Sequence, residues 1–424
     1  MRLRHVLRTL ATVLAVSTYM AIAPAHAATL SLWTFWGDQG AKRDFIEHAV
    51  KAFEAAHPGD TVQVSWYDKN SLYAALKTAL RAGQGPDVFY AEVDQVEYID
   101  NGLLLDLSNR LNWGDIEPWA KQAWTFGKGT YGLPLEAWTV ELYYNTKLLH
   151  ELGFNPPANH QFDQKTFLAL IKAAHAKDIT PIALGVGDRP YPGAFLTEEA
   201  LLKEVGAADY GKLMRGELKW SDPRVVKALT YVKSLIDTGA LPKSFSTLKL
   251  GESHAYFYSK PGSVMFLMGS FYPSRAFNPP NQGGQPPDFP LGIMQYPALD
   301  NAACNECKTM AVGGSYVVNA ATKHADLAVA FLNTMATPAM GKLWVETVMG
   351  QTGIKTDMAH VSGPHAGYFK ELAAVNDDAK YFFGLPSQVM QGKRRDAFTQ
   401  IINQAFPAGI LSVQQVVDRM DAVQ

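Results

Sequence analysis

Three features are scarce in this sequence of 424 residues: cysteine, excess charge of one sign, and long apolar runs. The 38 basic residues face 40 acidic ones, so the chain lacks the positive excess typical of nucleic-acid binding. Its one notable apolar run, residues 9–22, is shorter than the roughly 20 residues that span a bilayer. We find no internal repeat, and the only run of like charges is at Lys393–Arg395. These absences exclude repeat proteins and argue against nucleic acid as a partner.

The amino-terminal segment has the pattern of a cleaved secretory signal. Residues 1–8 carry three arginines and no acid, the apolar run follows, and Ala25-His26-Ala27 matches the small-x-small cleavage pattern. A retained membrane anchor is the alternative, but the run is short and no cysteine follows that could carry a lipid. We therefore expect residues 1–27 to be removed and the protein to be exported to a Gram-negative periplasm. The 35 basic and 40 acidic residues of the remaining chain give it a net charge of −5.

The two cysteines, Cys304 and Cys307, are separated by only two residues. Such a pair supplies half the ligands of a closed zinc site, whereas a local disulfide is the more usual role of nearby cysteines in an exported protein. We predict a disulfide that closes a small loop.

Apolar runs of strand length alternate with helical patterns along the mature chain. Residues 30–36, 61–67 and 86–93 read as strands, and residues 41–57 and 71–83 read as amphipathic helices between them. This alternation predicts an α/β fold with parallel strands, in which ligands sit beyond the carboxyl ends of the strands. The length exceeds the roughly 250 to 300 residues of a single core, so two lobes are expected.

Aromatic and acidic residues follow the predicted strands. Trp36 ends the first strand and stands beside glycines that let the backbone turn, so its ring either projects into a crevice or packs in the core. Tyr67 follows the second strand, and Glu92 and Asp94 follow the third. A sugar suits this mixture, because its C–H face packs on aromatic rings and its hydroxyls donate to carboxylates. Each acid alone could equally be a helix cap or a solvated turn residue.

Several segments, in order, resemble the extracellular solute-binding proteins of family 1, the group that includes maltose-binding protein. They are "LWTFWGDQG", "ALRAGQGPDVFYAEVDQ", "GLPLEAWTVELYYNTKLL", "GSVMFLMGSF" and "AVGGSYVVNAATKHADLAVAFLNTMATPAMGKLW". The resemblance implies the two-lobed α/β fold of type II periplasmic binding proteins, with a ligand cleft between lobes that a hinge joins. It implies an N-terminal lobe of residues 28–138 and 289–340, and a C-terminal lobe of residues 139–288 and 341–424.

The resemblance also implies a set of ligand-binding residues. Phe271 falls where relatives often carry a stacking tryptophan, and Arg394 falls where the maltose-binding member has an aromatic, which makes maltose a doubtful ligand. Arg394 belongs to a basic run that either forms a solvated helix face or turns one arginine inward to hold an acid. The predicted ligand-binding residues are Trp36, Asp38, Tyr67, Asn70, Glu92, Asp94, Glu136, Trp138, Arg189, Tyr191, Gly269, Phe271, Gly314, Tyr316 and Arg394.

The expected function is capture of a sugar, sugar derivative or short oligosaccharide by a monomer that delivers it to the membrane permease of an ABC importer, with no cofactor. One alternative is a polyol phosphate or other anionic ligand, favoured if Arg189 or Arg394 faces the cleft. Another is a secreted carbohydrate-active enzyme that uses two of Glu92, Asp94 and Glu136 as its paired acids. A metal site at the adjacent Tyr143 and Tyr144 is disfavoured, because neighbouring strand residues point to opposite faces.

Overall fold

The structure is a computed structural model that describes residues 27–260, 262–356, 360–363, 365–390 and 392–423, without the side chains of residues 38, 387 and 388. The predicted signal segment, apart from Ala27, therefore lies outside the described residues. No helix in the described ranges is long and apolar enough to cross a membrane.

β-Strands form the centre of each lobe. They are β1 (Thr29–Thr34), β2 (Thr61–Trp66), β3 (Val88–Ala91), β4 (Thr125–Phe126), β5 (Gly129–Thr130), β6 (Gly132–Pro134), β7 (Glu136–Asn145), β8 (Thr180–Ala183), β9 (Ser263–Gly269), β10 (Leu291–Met294), β11 (Cys307–Val312), β12 (Ser315–Val318), β13 (Gln351–Thr352) and β14 (Lys380–Phe383).

Helices pack around these strands. They are α1 (Gly40–Ala56), α2 (Lys69–Arg81), α3 (Glu97–Asp100), α4 (Pro118–Ala123), α5 (Thr146–Glu151), α6 (Gln164–His175), α7 (Phe195–Arg215), α8 (Pro223–Asp237), α9 (Leu250–Tyr258), α10 (Pro273–Ala276), α11 (Ala325–Met335), α12 (Pro338–Val348), α13 (Ala366–Val375), α14 (Pro386–Val389), α15 (Gly392–Gln400) and α16 (Val413–Asp421). Short 3₁₀ turns cover Trp36–Asp38, Trp113–Asp115, Tyr191–Ala194 and Pro280–Gln282, and a π-helical turn covers Ile401–Ala405.

The first lobe is built on a five-stranded sheet in the order β2-β1-β3-β12-β6. The parallel strands β1, β2 and β3 alternate with α1 and α2, as the sequence predicts. Phe45, Ile46, Ala49 and Phe53 form the buried face of α1. Strand β12 runs antiparallel to β3, and the first residue of β12 pairs with the last residue of β3. The carboxyl ends of β1 and β3 and the start of β12 therefore lie together at one edge of this sheet.

The second lobe is built on a larger sheet in the order β14-β11-β7-β9-β8, and β10 and β13 also pair with β7. The last residue of β11 pairs with Ala137, and the last residue of β9 pairs with Val140. The start of β7 and the ends of β9 and β11 therefore lie at the same edge of this sheet. This edge faces the edge of the first sheet described above.

The first crossing between the lobes lies at the start of β7, close to the predicted residue 138, whereas the second differs from the predicted one. β7 belongs to the second sheet from Glu136 onward, and β10 and β11 pair with it as well. The predicted crossing near residue 289 is therefore wrong: the proline-rich loop connects α10 to β10 within the second lobe, and the return falls at Gly313-Gly314. The first lobe then continues through α11 and α12, which pack on α1.

Three crossing segments run side by side between the lobes. The Glu136 amide donates to the Gly314 carbonyl (2.9 Å), and the Gly313 amide donates to the Glu136 carbonyl (2.8 Å). Thr352 of β13 pairs with Glu136 from the other side. The lobes are thus joined by a narrow, hydrogen-bonded strip of backbone, an arrangement that suits hinge motion.

The cysteine pair forms a local disulfide in the second lobe. The sulfur atoms of Cys304 and Cys307 are bonded, and the Cα atoms are 5.3 Å apart. The bond closes the turn that leads into β11.

Candidate functional site

A cavity of about 570 Å³ lies between the facing edges of the two sheets. Its volume is within the range of small-molecule sites. Both lobes and the crossing segments contribute to its wall, which mixes aromatic rings with charged groups. The lining residues are Phe35, Gln39, Lys42, Asp68, Lys69, Tyr90, Glu92, Asp94, Glu136, Trp138, Asp188, Arg189, Tyr191, Lys249, Leu250, Gly251, Glu252, Phe271, Arg275, Val312, Gly313 and Leu385.

A buried ion pair lies where the cavity meets the hinge. Lys42 of α1 approaches the Oε1 atom of Glu136 at 2.5 Å, and the Oε2 atom of Glu136 accepts from the Gly314 amide at 3.0 Å. Burial lowers the pKa of Lys42, although the carboxylate of Glu136 acts in the opposite direction. The pair fixes Glu136 as an acceptor and ties α1 to the first residue of β7.

A second lysine holds Glu92 at the end of β3. The Nζ atom of Lys69 lies 2.5 Å from Oε1 of Glu92, and the hydroxyls of Tyr90 and Tyr73 each donate to Glu92 at 2.8 Å. Burial alone would raise the pKa of Glu92, but the charge of Lys69 and these hydrogen bonds outweigh it and lower the pKa. Glu92 is therefore an ionised carboxylate whose oxygens are already engaged.

Asp94 differs from the other acids of the cavity wall. It is half-buried, and among the described residues no donor bonds to its carboxylate. Burial, followed by the negative charge of Glu92, raises the pKa of Asp94 to about 6. Its carboxylate is thus the free hydrogen-bond acceptor at this wall.

Aromatic rings from the second lobe form the opposite wall. Trp138 of β7 meets Phe271 edge-on with ring centroids 5.4 Å apart. Tyr191 lies 6.4 Å from the same tryptophan, and Phe195 packs behind both. Strand β9 ends at Gly269, and a side chain there would collide with the Phe271 ring, since an added Cβ would lie 2.2 Å from it. Gly269 thus lets Phe271 fold back toward Trp138.

Arginine side chains join the lobes at the mouth of the cavity. Arg189 of the second lobe donates to Oδ1 of Asn70 at 3.2 Å, and Arg395 donates to the carbonyl of Asp94 at 3.1 Å. Farther out, the rings of Trp119 and Phe383 stack with centroids 5.3 Å apart. These contacts connect opposite lobes without passing through the hinge.

Seven of the predicted site residues line this cavity together. They come from four separate stretches of the sequence. The facing sheet edges bring these stretches together around one cavity. They are Glu92, Asp94, Glu136, Trp138, Arg189, Tyr191 and Phe271.

Trp36 does not project into the cavity, in contrast to the expectation. Its ring is fully buried and packs against Tyr90, Tyr316 and Trp344 at centroid distances of 5.4 to 5.5 Å. Tyr316 is fully buried as well and bonds to Thr34 through its hydroxyl. Both predicted contact residues therefore belong to the core behind the cavity, where the Trp36 ring, in the turn after β1, lies between Tyr316 of β12 and Trp344 of α12.

Gly314 shares this supporting position. An added Cβ would lie 2.4 Å from the Trp36 ring and 2.6 Å from the Tyr90 ring. Gly313 lines the cavity and Gly314 does not. The role of Gly314 in the structure is to let the crossing strand approach these rings and donate its amide to Glu136.

Two further predicted residues lie outside the cavity wall. Tyr67 turns away and packs on Trp33, with ring centroids 5.2 Å apart. Asn70 is exposed at the start of α2, and its side chain accepts from Arg189 of the cavity wall. A third predicted residue, Asp38, has its side chain outside the described part of the chain.

The basic run on α15 approaches the cleft through a different arginine from the predicted one. The guanidinium of Arg394 lies against Gly216 at the end of α7. A Cβ atom added to Gly216 would be 2.4 Å from this guanidinium. The adjacent Arg395 points toward the first lobe and bonds to Asp94. Arg394, which was predicted as a ligand contact, is not among the residues that line the cavity.

Sequence reasoning predicted Arg189 but missed Lys42, Lys69 and Arg275, three other cations that line the cavity. Lys42 and Lys69 lie on helices α1 and α2, where lysine usually forms a solvated face, and nothing in their local pattern marks them as inward. Arg275 follows Phe271 by four residues in α10, so the strand, glycine and aromatic pattern at β9 could have indicated it.

The fold and the interlobe cavity together define a two-lobed binding protein. The chain belongs to the family of bacterial extracellular solute-binding proteins, whose sequence model matches residues 37–342. The predicted family and fold class are both confirmed.

The individual relatives described next share only about a quarter of their aligned residues with this chain. The chain is 24% identical over 275 residues to an uncharacterised ABC transporter extracellular-binding protein of Pyrococcus horikoshii, covering 61% of this chain and 60% of that one. It is 24% identical to the arabinooligosaccharide-binding protein of Bacillus subtilis over 364 residues, or 82% and 77% of the two chains. Several other curated relatives match over less than half of their length.

Solved structures share the fold over almost the whole chain. A chitin oligosaccharide binding protein superposes with a TM-score of 0.77 at 20% identity, covering 93% of this chain and 98% of that one. A protein from a study of xylan utilisation by Caldanaerobius polysaccharolyticus superposes with a TM-score of 0.78 at 18% identity, covering 93% and 99%.

Proposed function

We propose that this protein captures a sugar, sugar derivative or short oligosaccharide and delivers it to the membrane permease of an ABC importer. The observation that carries the proposal is the composition of the cavity: Trp138, Tyr191 and Phe271 form an aromatic wall, and carboxylates line the opposite lobe. Rings pack on the apolar face of a sugar while carboxylates accept from its hydroxyls. Two lobes that contact one ligand favour closure around it.

The names of the relatives agree with this ligand class. They include proteins described as binding arabinooligosaccharides, lactose, maltotriose and chitin oligosaccharides. We infer that the present protein is exported by its predicted signal, acts in the periplasm as a monomer, and uses no cofactor.

The enzyme alternative receives less support from the cavity. Glycosidase chemistry needs two available carboxylates, one of them a proton donor. Glu92 and Glu136 are each held by a lysine and by further donors, which leaves Asp94 as the one unengaged acid among the described cavity residues. Incubation with oligosaccharides should release no new reducing ends, and their release by wild type but not by Asp94→Asn would establish an enzyme.

The binding proposal is tested by calorimetry with a saccharide panel on wild type and two tyrosine variants. Tyr191→Ala removes a ring from the cavity wall, and Tyr67→Ala removes a half-buried ring that lies outside it. Tyr191→Ala should weaken saccharide binding by about 1 to 3 kcal/mol, and Tyr67→Ala should leave it unchanged. Equal effects of the two variants would contradict the site.

A further inference from the structure

The lysines and the arginines of the cavity wall differ in whether an acid is paired with them. Its two inner lysines, Lys42 and Lys69, each form an ion pair with a glutamate. The half-buried Arg275 forms no ion pair with an acid of the described chain, and the hydrogen bonds of this residue to Tyr272, Phe277 and Asn278 are made by its backbone. Arg189 donates to neutral oxygens, those of Asn70 and the Asp188 carbonyl. Among the residues that the structure describes, neither of these two cavity-lining guanidinium groups is paired with an acid.

The acids of the wall cannot supply that anion. Glu92 and Glu136 form ion pairs with the lysines. Of the other four carboxylates of the wall, three accept from backbone amides at the start of a helix. Asp68 accepts from the amides of Asn70 and Ser71 at the start of α2, and Asp188 and Glu252 accept from the amides of Leu250 and Lys249 at the start of α9. Asp94 is the exception, and its neighbour Arg395 contributes a further positive charge beside it.

Arg275 lines the same cavity as Lys42 and Tyr191. Its helix α10 contacts α1, which carries Lys42, and Arg275 follows Phe271 of the aromatic wall by four residues. A ligand stacked on the aromatic wall would therefore have one end within reach of Arg275. Closure around a neutral ligand would dehydrate this guanidinium with no compensating charge, which is costly.

We propose that the preferred ligand is an acidic saccharide, whose carboxylate or phosphate is received by Arg275 with Arg189 as a second cation near the mouth. This inference rests on the proposed function and narrows it. The planar guanidinium matches both oxyanions by paired hydrogen bonds, which a lysine cannot reproduce. The aromatic wall and Asp94 then hold the uncharged part of the sugar.

The test is calorimetry with matched saccharides that differ only in the acid. Suitable sets are galactose, galacturonate and galactose 6-phosphate, the equivalent glucose set, and digalacturonate beside its neutral galactose disaccharide. The acidic members should bind at least about tenfold more tightly than their neutral counterparts. The uronate and phosphate arms identify which oxyanion is used. The preference should shrink as salt is raised from 50 to 500 mM, as expected of a charge interaction.

Three variants connect the preference to Arg275. Arg275→Gln should reduce the affinity for the acidic member to about that for the neutral member, and a cooperative urea transition like that of wild type should show that the variant is folded. Arg275→Lys should retain only part of the preference. Arg81→Gln, which removes the same charge at an exposed position on α2, should behave as wild type.

The outcomes distinguish a failure of the acidic-ligand inference from a failure of the proposed saccharide binding. Neutral saccharides that bind as tightly as acidic ones, or an acid preference unchanged in Arg275→Gln, would overturn the acidic ligand and leave saccharide binding intact. A protein that binds no saccharide, acidic or neutral, would contradict the proposed function and this inference with it.

Discussion

The indole of Trp36 is enclosed by three aromatic rings and by Lys42, whose Nζ atom lies 5.0 Å from the ring centroid. Its Nε1 atom is buried without a hydrogen-bond partner among the described residues. A ring in this position supports the cavity floor from behind. Its contribution is therefore to the free energy of unfolding rather than to direct contact with a ligand.

We expect Trp36→Ala to lower the free energy of unfolding by about 3 to 5 kcal/mol, because it leaves a cavity in the core. Trp36→Phe should cost less, since it keeps a ring and removes only an unpartnered N–H. Urea unfolding of both variants measures the difference. A Trp36→Ala protein of normal stability that has lost ligand binding would show that the ring contacts the ligand after all.

Asp94 should make ligand binding depend on pH. Its pKa is raised to about 6, so lowering the pH through 6 protonates the group, and a protonated carboxyl accepts more weakly from a sugar hydroxyl. The affinity for a neutral saccharide should therefore fall between about pH 7 and pH 5. Calorimetry across this range should show the fall in wild type and a flatter profile in Asp94→Asn, and identical profiles would remove Asp94 from the site.

At the scale of elements, the sequence predicted the strands and helices of the first lobe well, because their apolar residues recur at strand or helix spacing. Strand ends that carry Glu92, Trp138 and Phe271 were recognisable for the same reason. The inward-pointing lysines could not be recognised, since Lys42 differs from Lys51, the other lysine of α1, in having Glu136 of the crossing strand opposite it. The return crossing was also missed, because a Gly-Gly step is a weaker signal than a proline-rich loop.

The contact between α1 and the start of β7 depends on one ion pair. Glu136→Gln leaves the ammonium of Lys42 buried without an anion, a change that should cost about 3 to 5 kcal/mol of stability. The double variant Lys42→Met/Glu136→Leu should recover much of that loss, because no charge is left buried. Urea unfolding of the singles and the double gives the coupling energy, and strictly additive losses would show that the pair is not a unit.

At the scale of the whole molecule, the two lobes touch outside the hinge through Trp119 and Phe383. Phe383 is 44% exposed, so its replacement should barely affect either lobe. Phe383→Ala should therefore shift the unliganded protein toward more open forms and raise its radius of gyration by small-angle scattering. Ile410→Ala, at an apolar site that is even more exposed at 72%, is the control and should change nothing. Matching profiles for wild type and both variants would show that the stacked rings do not hold the lobes together.

A crystal structure of the protein with its tightest-binding saccharide would show whether the interlobe cavity is the binding site. We expect one sugar enclosed between the lobes, packed on Trp138, Tyr191 or Phe271 and hydrogen-bonded to the first lobe at Asp94. A sugar bound elsewhere on the molecule, with this cavity holding only water, would contradict this expectation.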